Sequence, residues 1–141
     1  MKRILIDTDV ILDFFFDRKP FSENSARILT LCHTGKITGY VTSVIISNTY
    51  YLLRKTASHE KVVDKLKQLL SFTDVLTTDK SIIINALNSG FGDFEDAIQN
   101  FSAESSNKIN VIVTRNTKDY KVSSLSVFSP EEFLRTLKNS D

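Results

Sequence analysis

Apolar positions along this chain come in short bursts that switch repeatedly between strand-like runs and helix-like stripes. Ile4-Leu5-Ile6 is an unbroken apolar triplet that predicts a short buried strand, ended by a turn at Asp7-Thr8-Asp9. Val10 to Phe16 predicts a helix stopped by Arg18-Lys19-Pro20. Ser22-Glu23-Asn24-Ser25 opens another, with Ala26, Ile28, Leu29 and Leu31 on its core face. Ile37 to Val41 is rich in β-forming residues around Gly39, and Thr42-Ser43 then caps a helix through Lys55. His59 to Phe72 alternates Val62, Val63, Leu66, Leu69 and Leu70 with lysines, an amphipathic helix. Val75-Leu76-Thr77 predicts a strand and Ile82 to Leu87 a helix. In the last third, Asp93 to Ser105 reads as helix, and Asn110 to Thr114 and Leu125 to Phe128 as strands. Ser129-Pro130-Glu131-Glu132 is a helix start with an N-cap serine, a first-turn proline and a glutamate three residues on.

Strands alternating with helices imply parallel crossover connections and a sheet covered on both faces. The expected fold is one α/β domain over residues 1–141, with a central parallel sheet of about four to five strands flanked by helices. No internal repeat, linker or charge block divides it. Phe14-Phe15-Phe16 breaks the pattern, because one helix face cannot bury three successive side chains. At least one ring should point outward or toward a partner.

Hydrophobic residues at 41% and charged residues at 25% place the chain among soluble globular domains and exclude disorder. The single cysteine, Cys32, excludes an intramolecular disulfide and a cysteine-based zinc site, and two histidines leave little for a histidine-rich centre. The basic start Met1-Lys2-Arg3 leads into too short an apolar stretch for a signal peptide. No window reaches the roughly 18 to 20 apolar residues of a membrane span. The expectation is a cytoplasmic domain with no membrane contact. A net charge of +1 neither suggests nor excludes nucleic acid, since local clustering decides that. Any chemistry falls mainly to carboxylates.

Those carboxylates gather at predicted strand ends, where ligands bind in open parallel sheets. Asp7 and Asp9 follow the first strand, and Thr114-Arg115-Asn116, with Asp119 beyond, follows the fourth. Asp93 and Asp96 lie three apart at a helix start, on one face of its first turn. Capping accounts for Asp93, but less well for Asp96, since nothing requires a second acid there. Mg2+ and Mn2+ take oxygen ligands, often one or two carboxylates with waters and substrate phosphates. Such a cation reverses the repulsion between an acidic cleft and a phosphodiester. Arg115 and Lys118 flank this region as candidate phosphate contacts. Arg54, Lys55, Lys61, Lys65 and Lys67 form a basic stretch that reads more simply as a solvated helix face.

The ordered set of motifs resembles the PIN-domain family. Ile4 to Val10 resembles its opening, an apolar strand running into Asp-Thr-Asn/Asp-Val. Thr42-Ser43 with the following helix resembles the second motif, and Asp93-Phe94-Glu95-Asp96-Ala97-Ile98 the central Asp-Ala motif. Val111 to Asn116 with Lys118-Asp119-Tyr120 resembles the last, and Ser129 to Phe133 the usual carboxyl end. The resemblance implies a three-layer domain and a Mg2+- or Mn2+-dependent endoribonuclease acting on RNA. Among small bacterial members it implies a VapC-type toxin of a toxin–antitoxin pair, homodimeric and held inactive by an antitoxin. Carried over by position, it makes Asp7 and Asp96 the metal ligands and Asp93 and Asn116 further catalytic residues. Thr8, Asn48, Arg115 and Asp119 then fall on the substrate side.

Two positions depart from the family pattern. Asn48 stands five residues after Ser43, where the family usually has Glu, and Asn116 stands two after Thr114, where it usually has Asp. Each keeps a carbonyl oxygen and loses a charge, with Asp9, Asp93 or Asp119 available to compensate. Each reads equally well as an ordinary helix-surface or turn amide. Two other readings therefore stay open. One is a weakened PIN domain that only binds RNA or a protein. The other is a haloacid dehalogenase-type phosphatase, since Asp7-x-Asp9 and Gly92-Asp93-x-x-Asp96 also resemble its motifs, with Asp7 as nucleophile. Against it, Val10-Ile11 stand where Gly-Thr is expected, and the segment before Gly92 reads as helix.

Overall fold

Ile4, Leu5 and Ile6 are all fully buried in strand β1 (Arg3–Ile6), although successive strand residues point to opposite faces of a sheet. Both faces of this strand are therefore covered, as an unbroken apolar triplet requires. The structure is a computed structural model that describes residues 1–139. The other strands are β2 (Thr38–Thr42), β3 (Thr73–Leu76), β4 (Val111–Val113) and β5 (Ser126–Phe128), and all pairings are parallel in the order β3-β2-β1-β4-β5. Among the described residues six helices make crossovers, α1 (Thr8–Phe15), α2 (Ser22–His33), α3 (Ser43–Leu53), α4 (His59–Leu70), α5 (Lys80–Leu87) and α6 (Phe94–Ser106), and α7 (Pro130–Asn139) follows the last strand. A short 3-10 turn, Thr117–Tyr120, follows β4. The α/β fold expected from the alternating pattern is the one observed.

Local chemistry explains the boundaries. Thr42 caps α3 by accepting from the Ile45 amide at 3.1 Å, and Ser58 caps α4 by accepting from the Lys61 amide at 3.3 Å. The expected start of α7 is a reciprocal cap. Ser129 N–H donates to Glu132 Oε1 at 2.9 Å, and Glu132 N–H donates to Ser129 Oγ at 3.2 Å. Gly39 sits within β2 because α2 packs directly on it. A β-carbon there would lie 2.7 Å from Cys32 Sγ and 2.9 Å from Ile6 Cδ1.

Three expectations shift. Asp7-Thr8-Asp9 is no separate turn, because α1 begins at Thr8 with Asp7 as its N-cap. β3 starts at Thr73, where Thr73 and Asp74 pair with Gly39 and Tyr40. These are polar, partly exposed residues of an edge strand, which a search for apolar runs passes over. Of the three phenylalanines, Phe14 is the outward one at 40% exposed, while Phe15 and Phe16 pack against the core.

The sheet order places the site. The chain moves outward from β1 to β2 and β3, then returns to the far side of β1 for β4 and β5. The reversal lies between β1 and β4, and side chains leaving their carboxyl ends open onto one crevice. No helix among the described residues is long and apolar enough to cross a membrane.

Candidate active site

Asp7 leaves the end of β1 into that crevice, only 6% exposed, with two donors within hydrogen-bond distance of each carboxylate oxygen. Oδ1 accepts from the Thr8 amide at 2.7 Å and from Gln99 Nε2 at 3.1 Å. Oδ2 accepts from Thr114 Oγ1 at 2.9 Å and from the Tyr120 hydroxyl at 3.2 Å. These donors come from α1, α6, the end of β4 and the 3-10 turn. The same Tyr120 hydroxyl lies 3.2 Å from Asp96 Oδ1, in the first turn of α6. Two carboxylates far apart in sequence thus meet at one hydroxyl. That hydroxyl also accepts from Gln99 Nε2 at 2.9 Å and has one proton, so it serves one carboxylate at a time.

Asp9 lies beside them. It accepts from the Arg115 amide at 3.1 Å, and its Oδ2 lies 3.3 Å from Thr114 Oγ1, whose one proton it shares with the nearer Asp7. The Asp7 charge opposes the ionisation of both Asp9 and Asp96. Burial first, and the Asp7 charge second, push Asp96 up to about 7. The same two causes push Asp9 up to about 6, with the Arg115 amide pulling the other way. Burial also raises Asp7 against its four donors. Tyr120 is raised by burial and by the neighbouring Asp7 and Asp96 charges, so it stays a donor.

The remaining sequence-predicted residues divide. Asp7, Thr8, Asn48, Asp93, Asp96, Asn116 and Asp119 line one cleft of about 590 Å3, together with Asp9, Glu95 and Gln99. Asp93 caps α6 by accepting from the Asp96 amide at 3.0 Å. Asn48, on α3, donates from Nδ2 to Glu95 Oε2 at 2.7 Å, so a carboxylate from α6 stands next to the position that lacks one. Arg115 does not join them. Its Nε and Nη2 donate to the two oxygens of fully buried Asp13, at 2.8 and 3.0 Å, and its guanidinium lies 4.1 Å from the Phe21 ring centre. The cation expected to meet phosphate is committed to holding α1.

The cleft has the donors a hard divalent cation takes. Six carboxylates face two cationic side chains, Arg18 and Lys55, and neither Cys nor His lines it. Gln99 Oε1 is buried without a hydrogen-bond partner. Asp7 and Asp96 form a two-carboxylate set. Among the described residues no group of three or more His, Cys, Asp or Glu is gathered as a metal cluster. Two carboxylates completed by waters and substrate oxygens is the usual way Mg2+ is held.

A sequence profile of the PIN domain matches residues 3–118. The chain belongs to the PIN-domain family. No curated protein matches it by sequence. Solved structures share the PIN fold at low identity. The VapBC2 complex of Rickettsia felis bound to a promoter DNA fragment contains a chain 15% identical with a TM-score of 0.64, covering 90% of this chain and 97% of that one. A toxin–antitoxin complex from Klebsiella pneumoniae gives 18%, 0.67, 90% and 97%. VapC20 of Mycobacterium tuberculosis, described as a sarcin-ricin loop cleaving toxin, gives 16%, 0.60, 77% and 86%. PIN domains are a nuclease family, typically metal-dependent. Membership removes the support for the phosphatase reading, and the segment before Gly92 is helix α5.

Sequence reasoning gave no role to Tyr120, Gln99, Thr114, Asp13 or Glu95 in this PIN domain. Gln99 was within reach of it, since it lies one turn after Asp96 on the same side of α6. A buried acid in the apolar stripe of α1 also signals that Asp13 needs a cationic partner. Nothing local identifies Arg115 as that partner, or Tyr120 as the link between two carboxylates.

Proposed function

We propose that this PIN domain is a Mg2+- or Mn2+-dependent endoribonuclease, the toxin of a toxin–antitoxin pair. The observation that carries the reading is the Tyr120 hydroxyl within hydrogen-bond distance of both Asp7 Oδ2 and Asp96 Oδ1. It brings the carboxylates from the ends of β1 and α6 to one point in an open cleft. Asp7 and Asp96 would hold the cation, with Asp93 and Asn116 beside them. When bound, the cation supplies charge neutralisation for a phosphodiester and activation of a water.

The protein's own part is positional. Thr8, Thr114 and Gln99 fix the Asp7 carboxylate, and Tyr120 holds the two acids at a set separation. Without a cation, burial and the Asp7 charge hold Asp9 and Asp96 above the ordinary carboxylate range, and a bound cation would favour their ionised forms. Asn48 and Glu95 close the α3 side of the cleft, and Asp119 and Thr8 line its mouth. The toxin assignment draws support from the related folds that were crystallised as toxin–antitoxin complexes. It carries an antitoxin protein and a homodimer with it as expected partners.

The test is cleavage of RNA with Mn2+ by the wild-type chain and by Asp7→Asn and Asp96→Asn. Loss in both variants supports the site, and persistence in both marks a contaminant. Asn48 and Asn116, with no three-acid metal cluster among the described residues, favour a second reading as a binding module. Absence of both cleavage and metal binding would select that module.

A further inference from the structure

The cleft is chemically two-sided. Its carboxylates come from the end of β1, the start of α1, the first turn of α6 and its cap, and the 3-10 turn, whereas α3 and the residues just after it bring Tyr51, Leu52 and Lys55. Tyr51 is 67% exposed, unusual for a large aromatic side chain in an α/β domain. It is not a core residue left short of cover, because its neighbour Tyr50 takes the position packed against the core.

Tyr51 is nevertheless braced. Tyr50 and Tyr51 meet edge to face, with ring centres 5.0 Å apart and planes at 87°. Tyr50 is fixed in turn by a 2.8 Å hydrogen bond between its hydroxyl and His59 Nδ1, and by an edge contact with the His59 ring at 5.8 Å. The brace thus runs from α3 to the start of α4. An edge-to-face contact occupies at most one face of either ring, so Tyr50 leaves a flat face of Tyr51 uncovered. Lys55 lines the same cleft and has no ion-pair partner among the described residues, and Arg18 lines it too, half exposed, with a 3.5 Å contact to Asp13 and its guanidinium 5.0 Å from the Phe16 ring centre.

We infer that Tyr51 is a stacking platform for an unpaired base of single-stranded RNA, with Lys55 and Arg18 holding phosphates that flank the one drawn to Asp7 and Asp96. The inference rests on the nuclease reading and adds the residues that would position the strand, Tyr51 for a base and Lys55 and Arg18 for phosphates. A base in a duplex has both faces stacked already, whereas an extruded base offers a face to an exposed aromatic ring. Stacking is tolerant of base identity, so Tyr51 selects for strandedness and not for sequence.

The test measures binding by fluorescence anisotropy in the full chain carrying Asp96→Asn, so that RNA stays intact. The probes are a fluorescein-labelled single-stranded octamer, the same octamer with an abasic site moved along it, and a duplex of the same length. Tyr51→Leu should weaken single-strand binding about tenfold, within the range stacking supplies, without lowering the melting temperature. Tyr51→Phe should stay within about twofold of the parent. One abasic position should cost about as much as Tyr51→Leu and should cost nothing further in that variant. Duplex binding should be indifferent to residue 51.

Equal losses on single strand and duplex, Phe as damaging as Leu, or no effect of Leu would each overturn the platform. The last is also what a Tyr51 reserved for a protein contact predicts. A parent that binds no single strand overturns it outright. Binding that behaves as expected while the wild type cleaves nothing would sink the nuclease reading and leave the platform standing.

Discussion

Asp96 is asked to carry a charge that its surroundings oppose, and that conflict has a measurable sign. Its folded pKa stands above the ordinary carboxylate value, at about 7, and that of Asp9 at about 6. A raised folded value means that the native state binds the proton more tightly than the unfolded chain. The stabilisation is complete below about pH 4 and is lost as pH climbs through 6 and 7. In EDTA, the melting temperature of Asp96→Asn should equal or exceed that of the wild type at pH 8. The difference between the two should shrink or reverse toward pH 4. Thermal melts across that range check it, and a clearly lower melting temperature for the variant at pH 8 would show Asp96 to be a structural residue. Asp7 and Asp96 could be picked out in the sequence because one follows an apolar strand and the other opens a helix, each within a stretch that resembles a family motif. Tyr120 could not, because a tyrosine after a lysine–aspartate turn looks like ordinary packing until the fold carries its hydroxyl to α6.

Between elements, the strongest tie at the site is ionic. Asp13, fully buried in α1, takes two hydrogen bonds from Arg115, which follows β4. Arg115→Met would leave that carboxylate buried and without its main partner, since Arg18 reaches it only at 3.5 Å and is itself half exposed. The expected loss of stability is about 3–5 kcal/mol in urea unfolding. Asp13→Leu with Arg115→Met should recover most of it, since a buried pair can be replaced by apolar groups at little cost. A single variant within about 0.5 kcal/mol of wild type would show the pair to be idle. The order of strands and helices was readable because each apolar run carries its own period and its caps. β3 was misjudged by two residues because edge-strand pairing follows backbone hydrogen bonds, which no side-chain pattern records. The pairing of the Arg115 guanidinium with Asp13 was not legible, because sequence distance hides a buried acid on another element.

For the whole molecule, five parallel strands that reverse direction of growth beside β1 make one crevice, and the PIN-domain family's acids fall into it. The architecture followed from alternating patterns alone. The chemistry needed the ordered motifs, since carboxylates at strand ends are compatible with several reactions. On the proposed reading Asn48 and Asn116 would leave the cation to Asp7 and Asp96, and Asn48 keeps a neighbouring acid, Glu95, in contact. The account therefore rests on one ion shared by Asp7 and Asp96. Anomalous diffraction from a manganese-soaked crystal measures that directly. The account predicts a peak within coordination distance of both carboxylates, roughly 2.0–2.6 Å from an oxygen of each. A crystal with Asp7 and Asp96 still joined through Tyr120, and manganese absent from the cleft or bound only elsewhere, would contradict it.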